Sequence, residues 1–373
     1  MLKVAFGNTV YVRSSIRGDL DGIAVYTKFL LSNILDKIKC KTFCFETGSI
    51  SDLSDIVVGR YKENLVRSFL FNSVERRIKE EGCQILHCPD HVIPYTKLSI
   101  PLVSTIHDVI PLQHPEWIGG RCASIKISMF KYLLCRSTRI ITVSNYSKLQ
   151  IHQTTGFPLD RIDVVYPGLT VSQCNQDKVS MDFLGRFGLE KGQYFIVIGT
   201  LQPRKNINRI IKAFMNFKKD APRNFKLVIV GREGWGVDSL IKYLKSSQAA
   251  NDSILWLNYL DEVVKNSLLK YSRAFIFPSL YEGFGLPLLE SFYFDVPVIT
   301  SNITSMPEIA GCAALKVDPY SVEQISSAMN KIFHDEGVAI QLITEGRHQL
   351  NNFSWRRASI ETISSYYRAI DTK

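Results

Sequence analysis

The sequence predicts an α/β protein made of two Rossmann-like, doubly wound parallel-sheet domains. Three observations carry that expectation. The chain has 373 residues, more than one compact core usually organises, so two domains are expected. Its second half alternates short, almost wholly apolar runs with helical segments. Strands apolar on both faces belong in a parallel sheet covered by helices on both sides. Finally, the composition is 46% hydrophobic and 21% charged, ordinary for a soluble globular chain, and no apolar run reaches the roughly 18 residues of a membrane span.

Taken in order, Leu2 to Phe6 reads as a first strand, so M-L-K-V-A-F-G is not read as a signal peptide. A polar, basic loop is expected from Gly7 to Gly22. The helix that follows carries Ile23, Tyr26, Leu30, Ile34 and Ile38 at close to helical spacing. Asp52 to Glu81 reads as mostly helical and basic, with Arg60, Lys62, Arg67, Arg76, Arg77 and Lys79 opposite Leu65, Phe69, Leu70 and Val74. Such a face suits an anionic membrane surface, or is simply a solvated surface helix. Gln84 to His87 and Pro101 to Ile106 are buried strands. A second basic amphipathic helix runs from Arg121 to Arg136, with Ile125, Met129, Tyr132 and Leu133 on one side. Arg139 to Val143 is a strand, and Ser144 caps the next helix through its hydroxyl. Arg161 to Tyr166 is the last strand of this half.

The domain boundary falls near 170, in a polar connection, giving domains at 1–170 and 171–352 and a terminal helix within 353–373. Strands of the second half are expected at Tyr194 to Ile198, Phe225 to Val230, Ser253 to Leu257, Arg273 to Phe277, Val296 to Thr300 and Ala314 to Val317. Between the first two, Ile207, Ile210, Ile211, Phe214 and Met215 line one helix face.

The net charge is +10, which suits a phosphorylated substrate or an anionic surface. Nucleic acid is disfavoured because no basic and aromatic motif of that kind stands out. Eight cysteines in a chain this long do not make a disulfide framework and fit a cytoplasmic protein with reduced thiols. Cys83, His87, Cys88, Asp90 and His91 cluster in sequence, but alternation along a strand would point neighbours to opposite faces, so no metal is expected there. Asp19 and Asp21 form an Asp-x-Asp pair in an early loop and are likewise not read as metal ligands.

Three stretches carry chemistry. In F-P-S-L-Y-E-G-F-G-L-P-L-L-E, Gly283 and Gly285 let backbone N–H groups approach a ligand. Pro287 marks a helix start, whose free donors and partial positive charge seat a phosphate or hydroxyl-rich group. Glu282 and Glu290 flank that helix mouth. In Gly199-Thr200-Leu-Gln-Pro-Arg204-Lys205-Asn206, two adjacent cations precede a helix whose dipole they do not help, so an external anion explains them better. Gly231-Arg-Glu-Gly234-Trp-Gly236 has the wrong glycine order for a dinucleotide fingerprint, which disfavours hydride transfer.

E-G-F-G-L-P-L-L-E resembles the Glu-x7-Glu signature of retaining glycosyltransferases of family 4, enzymes of the GT-B fold whose two Rossmann-like domains face a central cleft. The resemblance implies a sugar-nucleotide donor. It assigns Glu282 to the donor sugar and Glu290 to the ribose, with Gly283, Phe284, Gly285 and Leu286 at the helix mouth. G-T-x-x-P-R-K-N resembles the diphosphate segment, bringing in Gly199, Thr200, Arg204 and Lys205. S-T-I-H-D-V-I-P-L resembles the segment whose histidine meets the donor sugar, implying a catalytic His107, with Asp108 as a further site candidate or simply a residue that orders the loop. V-S-N-Y-S places Ser144 near the cleft, although capping alone explains that residue. The Gly-Gly-Ile turn of the family is carried over only at Gly22, because Asp21 replaces the first glycine. Tyr259 and Leu260 fall where the family holds the base, and most members have glycine at the tyrosine's place.

V-V-Y-P-G-L resembles the exit from the first domain, and the terminal helix, about Trp355 to Ile370, is implied to cross back to that domain. The Gly-Trp pair resembles mannosyltransferase-like members acting on surface polysaccharides. The expected donor is therefore GDP-mannose, with UDP-sugars as the alternative, and no cofactor or metal. The expected acceptor is a lipid-linked or cell-surface glycan, reached from the cytoplasm at the inner membrane face. The readings left in competition are a non-catalytic sugar-nucleotide-binding subunit and an epimerase or phosphorylase of the same architecture.

Overall fold

A computed structural model describes residues 2–17, 22–45, 54–58, 73–90, 98–118, 123–169 and 180–372. Two compact units divide the chain. One holds Met1–Gln113, Cys122–Gly168 and Phe353–Lys373; the other holds His114–Arg121 and Leu169–Asn352.

The first unit is built on a seven-stranded parallel sheet: β1 Lys3–Gly7, β2 Lys39–Phe45, β3 Ile56–Val58, β4 Ile85–Cys88, β5 Leu102–Thr105, β6 Arg139–Thr142 and β7 Ile162–Val164. Their spatial order is β3-β2-β1-β4-β5-β6-β7. The core lies between this sheet and its helices and includes Phe43, Phe45, Val74, Ile78, Leu86, Leu133 and Ile140. Three elements differ from the sequence reading. Thr9–Arg17 is a helix where a loop was expected, because Val12 is fully buried and Ser14 nearly so, and packing overrides the weak propensity of Thr and Val. Lys39–Phe45 is a strand that the reading missed; its basic first half is exposed or half-buried and only Phe43 to Phe45 are buried. Ile56–Val58 pairs with it as an edge strand and not as helix. The basic positions Arg60, Lys62 and Arg67, together with Asp19, Asp21, His91 and Arg121, lie outside the described residues.

The terminal helix, Trp355–Asp371, belongs to this first unit. It buries Trp355, Ala358, Ser359, Thr362, Ser365, Tyr366 and Ala369, a stripe at helical spacing. Gly168 is required by its seat, since a Cβ there would lie 2.2 Å from the Trp355 nitrogen. Asp163 anchors the helix, accepting from Ser365 at 2.7 Å and pairing with Arg368 at 3.0 Å while Arg139 donates from the sheet. The Tyr366 hydroxyl lies 2.7 Å from His87 Nδ1, and Thr105 Oγ1 lies 2.9 Å from Nε2. Both ring nitrogens of His87 are thus engaged within the protein, and burial pushes the group down to about 3.

The second unit carries a six-stranded parallel sheet: β8 Tyr194–Ile198, β9 Lys226–Val230, β10 Ile254–Leu257, β11 Ala274–Phe277, β12 Val298–Ser301 and β13 Ala314–Val317. The order β10-β9-β8-β11-β12-β13 makes the chain reverse its direction of travel between β8 and β11. At such a switch point two loops leave neighbouring strands for opposite faces and open a crevice at the carboxyl edge, where doubly wound sheets bind ligands. The loops concerned are Gly199–Asn206 and Pro278–Gly285. The core beneath them includes Phe195, Phe214, Phe217, Phe225, Ile276 and Met329. Among the described residues no helix is long and apolar enough to cross a membrane.

Candidate active site at the sheet switch point

The loop after β8 turns at Gly199 (φ 143°) and then forms one 3-10 turn, Pro203–Lys205. Asn206 follows in the left-handed region (φ 62°), and the Ile207–Lys218 helix begins. Asparagine tolerates that conformation better than most residues. Its side chain fixes the turn, Nδ2 donating to the carbonyls of Pro278 at 3.0 Å and Pro319 at 2.6 Å. The Leu280 N–H donates to the Arg204 carbonyl at 2.8 Å. The β8 and β11 loops are therefore one rigid assembly before any side-chain charge is considered.

Within it Arg204, Lys205 and Glu282 converge. The Glu282 carboxylate lies 2.8 Å from Arg204 Nη1 and 2.5 Å from Lys205 Nζ. The three side chains are 11%, 22% and 12% exposed in the order Glu282, Arg204, Lys205, so the cluster is mostly dry. Burial drives the Lys205 ammonium down to about 8, with Arg204 adding to the fall and Glu282 partly offsetting it. Burial alone would raise the Glu282 carboxyl, but the two cations and their hydrogen bonds overcome it and hold the group below the ordinary carboxylate range. The cluster thus carries two cations and one anion, a net positive charge facing the crevice. Lys205 Nζ also lies 4.5 Å from the centre of the Phe277 ring, and a Cβ on Gly199 would touch the Lys205 side chain at 3.4 Å.

Beyond Glu282 the loop is buried through Gly283, Phe284 and Gly285. Ser305 Oγ donates to the Glu282 carbonyl at 2.8 Å. Gly285 caps the Leu286–Tyr293 helix at φ 107°, and a Cβ there would meet Met306 Cε at 2.7 Å. The positive φ alone calls for glycine, since the Met306 methyl ends a flexible side chain that can shift. Leu286 and Pro287 open the helix, and Glu290 follows one turn inside it. Glu290 pairs with Lys265 at 3.0 Å, both largely shielded. Lys265 comes from the Glu262–Lys270 helix, which Asp261 caps through the Val264 N–H. Tyr259 and Leu260 lie just upstream, at the end of β10, with Tyr259 exposed. Thr200 is exposed on the β8 loop.

The remaining expected residues lie in the first unit, around the carboxyl ends of β5 and β6. His107 Nε2 is 3.1 Å from the Pro89 carbonyl; a carbonyl only accepts, so this nitrogen carries a proton. The ring packs edge-to-face on Tyr26 at 4.8 Å, from the helix that Gly22 opens. A Cβ on Gly22 would meet nothing within 4 Å. Asp108 Oδ1 accepts from the Ile110 N–H at 3.0 Å. Ser144 caps its helix through the Ser147 N–H, and Ser147 Oγ donates to the His107 carbonyl at 3.1 Å. Gly22, His107, Asp108 and Ser144 therefore gather in one unit, while the cations, the acids and the base-side residues gather in the other. No cluster of three or more His, Cys, Asp or Glu side chains suited to a metal ion occurs among the described residues.

The family of glycosyl transferases group 1 matches residues 185–349, and glycosyltransferase family 4 matches residues 22–173. Over 291 residues the chain is 30% identical to O-antigen chain mannosyltransferase B of Escherichia coli, covering 76% of this chain and 74% of that protein. The chain is a family 4 glycosyltransferase. It is also 30% identical to O-antigen chain mannosyltransferase RfbU of Salmonella typhimurium, over 64% of this chain and 63% of the relative. The transferase shares its GT-B fold with Anabaena HepE, solved with UDP and glucose, at a TM-score of 0.75 and 14% identity, covering 99% of this chain and all of the other.

Sequence reasoning gave no role to Lys265 or Asn206 in this transferase's second unit. Lys265 sits in an amphipathic helix where a lysine is ordinarily solvated, and nothing local marks it as the partner of an acid 25 positions away. Asn206 was quoted in its motif without a role; its left-handed backbone and double donation appear only in three dimensions. A polar, turn-forming residue directly after two cations is the signal that could have found it.

Proposed function

We propose that this glycosyltransferase moves mannose from GDP-mannose onto a growing lipid-linked or surface polysaccharide of the O-antigen kind, with retention and without a metal. The observation that carries the reading is the 30% identity, over about three-quarters of both chains, to an O-antigen chain mannosyltransferase, in a chain whose Arg204, Lys205 and Glu282 are in contact at the switch point.

In this reading the acceptor hydroxyl oxygen bonds to the anomeric carbon while the bond from that carbon to the diphosphate oxygen breaks. The acceptor's proton passes to the departing phosphate oxygen, on the face the donor leaves from. Negative charge grows on the leaving diphosphate, and Arg204 and Lys205 are fixed beforehand where it grows; preorganised charges of this kind supply about 3–4 kcal/mol each. Two cations and a helix mouth neutralise the diphosphate, which is the role a divalent ion would otherwise fill. Glu282 grips the sugar hydroxyls and Glu290 the ribose. The +10 charge favours an acceptor presented on an anionic cytoplasmic membrane face.

The test is transfer to a mannose-terminated lipid-linked acceptor, with GDP-mannose and UDP-glucose compared in chelator. Product from GDP-mannose alone, undiminished by chelator, is the expected result. Product only from UDP-glucose would overturn the donor, and a strict metal requirement the metal-free route. Donor binding without transfer or hydrolysis would favour a non-catalytic subunit.

A further inference from the structure

The glycine-rich loop after β9, Gly231-Arg-Glu-Gly-Trp-Gly, has the wrong glycine order for a dinucleotide fingerprint. The structure gives its glycines another reason. A Cβ on Gly231 would lie 2.0 Å from the Gly199 carbonyl oxygen, and one on Gly234 would lie 1.9 Å from that of Leu201. The Leu201 N–H donates to the Arg232 carbonyl at 2.9 Å. The β9 loop is therefore laid flat against the loop that carries Arg204 and Lys205, and the backbone of Arg232 is fixed to it.

From that fixed point the Arg232 side chain lies over the ring of Tyr259, its guanidinium carbon 4.1 Å from the ring centre. Tyr259 stands at the end of β10 with 56% of its surface exposed. The two loops leave the sheet level with the β8 loop, because Ile198 is in register with Val230 and Val230 with Leu257. Each step between neighbouring strands is about 4.8 Å, so the stacked pair lies about 10 Å along the sheet edge from the β8 loop. Lys265, one turn into the helix that starts just after Tyr259 and Leu260, pairs at 3.0 Å with Glu290, which sits one turn into the helix after the β11 loop.

We infer that Arg232, stacked on Tyr259, reads the base of the nucleotide and selects guanine. This deepens the donor reading above and rests on it. A cation over an aromatic face is held by the ring quadrupole, while the planar guanidinium keeps its donors along its edge. Guanine presents O6 and N7 side by side as acceptors, the pair an arginine fork meets bidentately. Adenine sets a donor amine beside N7 and repels that fork. Uracil presents no second acceptor next to O4. The tyrosine ring, occupied on that face by the guanidinium, holds the arginine in place. A glycine at this position would leave the arginine without that support.

The experiment is titration calorimetry on the full chain with GDP, IDP, ADP, UDP and inorganic pyrophosphate, for the wild type, Arg232→Ala and Arg232→Gln. IDP keeps O6 and N7 and lacks only the 2-amino group, so the inference expects it to bind like GDP, with ADP and UDP at least about tenfold weaker. Arg232→Ala should lose about tenfold or more for GDP and IDP and bring them level with ADP. Pyrophosphate, which has no base, should shift less than about threefold. Arg232→Gln keeps side-chain length and guards against an unfolded alanine variant. If the wild type prefers GDP and both variants keep that preference, the guanine-reading role falls and the donor reading stands. If the wild type shows no preference for GDP over UDP, the donor reading fails and this role fails with it. A loss confined to pyrophosphate would make Arg232 a phosphate contact and overturn its reading of the base.

Discussion

Replacing Glu282 by glutamine separates the two things its carboxylate does. In the free protein it neutralises Arg204 and Lys205 at 2.8 and 2.5 Å in a mostly dry setting. Breaking a buried pair by removing one partner costs about 3–5 kcal/mol. The partial exposure of Arg204, 22%, lets water take up some of that charge, so the lower end, about 3 kcal/mol, is expected. For a unit of this size that is a fall in melting temperature of about 6–12 °C. The same change should help an anion. A phosphate seated on these two cations lies within about 5 Å of the carboxylate, and each unit of its charge is repelled by about 3 kcal/mol at an effective dielectric of about 20. Even heavily screened, relief of that repulsion should tighten pyrophosphate at least about tenfold, a change of 1.4 kcal/mol. Sugar transfer should nevertheless fall about a hundredfold, since a glutamine cannot hold the hydroxyls as a carboxylate does. Differential scanning calorimetry, pyrophosphate titration and a transfer assay on one preparation read all three. A variant as stable as the wild type that binds pyrophosphate no better would refute the claim that this acid balances the phosphate-binding cations.

Three further outcomes follow from the same geometry. Lys205, held at about 8 against an ordinary 10.5, binds fewer protons folded than unfolded between those values, so stability rises with pH across that window. Phosphate affinity should fall over the same range as the ammonium discharges, and Lys205→Arg, which stays charged, should flatten the pyrophosphate titration from pH 7 to 9.5; an equally steep curve in that variant would assign the effect elsewhere. Lys265→Ala should raise the KM for the donor several-fold with kcat little changed, because Glu290 loses the cation that orients it; a pure kcat loss in steady-state kinetics would contradict a role confined to binding. Asn206→Ala should cost about 2–3 kcal/mol in urea unfolding, through two carbonyls left without a donor and a left-handed backbone that alanine resists, whereas Asn206→Gly should recover only the backbone share.

The second unit was legible because its strands are all but uninterrupted apolar runs; Tyr194–Ile198 and Ala314–Val317 occur where the reading placed them. Sheet order follows less directly. It depends on which neighbours pair, yet once β8 and β11 are adjacent, the loops carrying Arg204, Lys205 and Glu282 must meet. The first unit was harder. Lys39–Phe45 alternates basic and apolar residues with only its last three buried, and Thr9–Arg17 is helical by virtue of buried contacts that its β-branched residues do not advertise. Arg204, Lys205 and Glu282, which the structure brings into contact, stood out in the sequence because glycine, proline and paired charges punctuate the chain there. Lys265 and Arg232 did not, since each owes its place to a neighbour from another loop or helix. The Gly231 and Gly234 spacing was legible as an anomaly, and its reason, contact with two carbonyl oxygens of the β8 loop, needed coordinates.

In the proposed reaction Arg204 and Lys205, steadied by Glu282 at the sheet switch point, hold the leaving diphosphate. The most direct test is release of GDP from GDP-mannose in the presence of acceptor, measured for the wild type, Arg204→Ala and Lys205→Ala after each variant is shown to be folded. A fall of at least about a hundredfold in both is expected, from the loss of one preorganised charge each. Turnover close to wild type in either variant would contradict the claim.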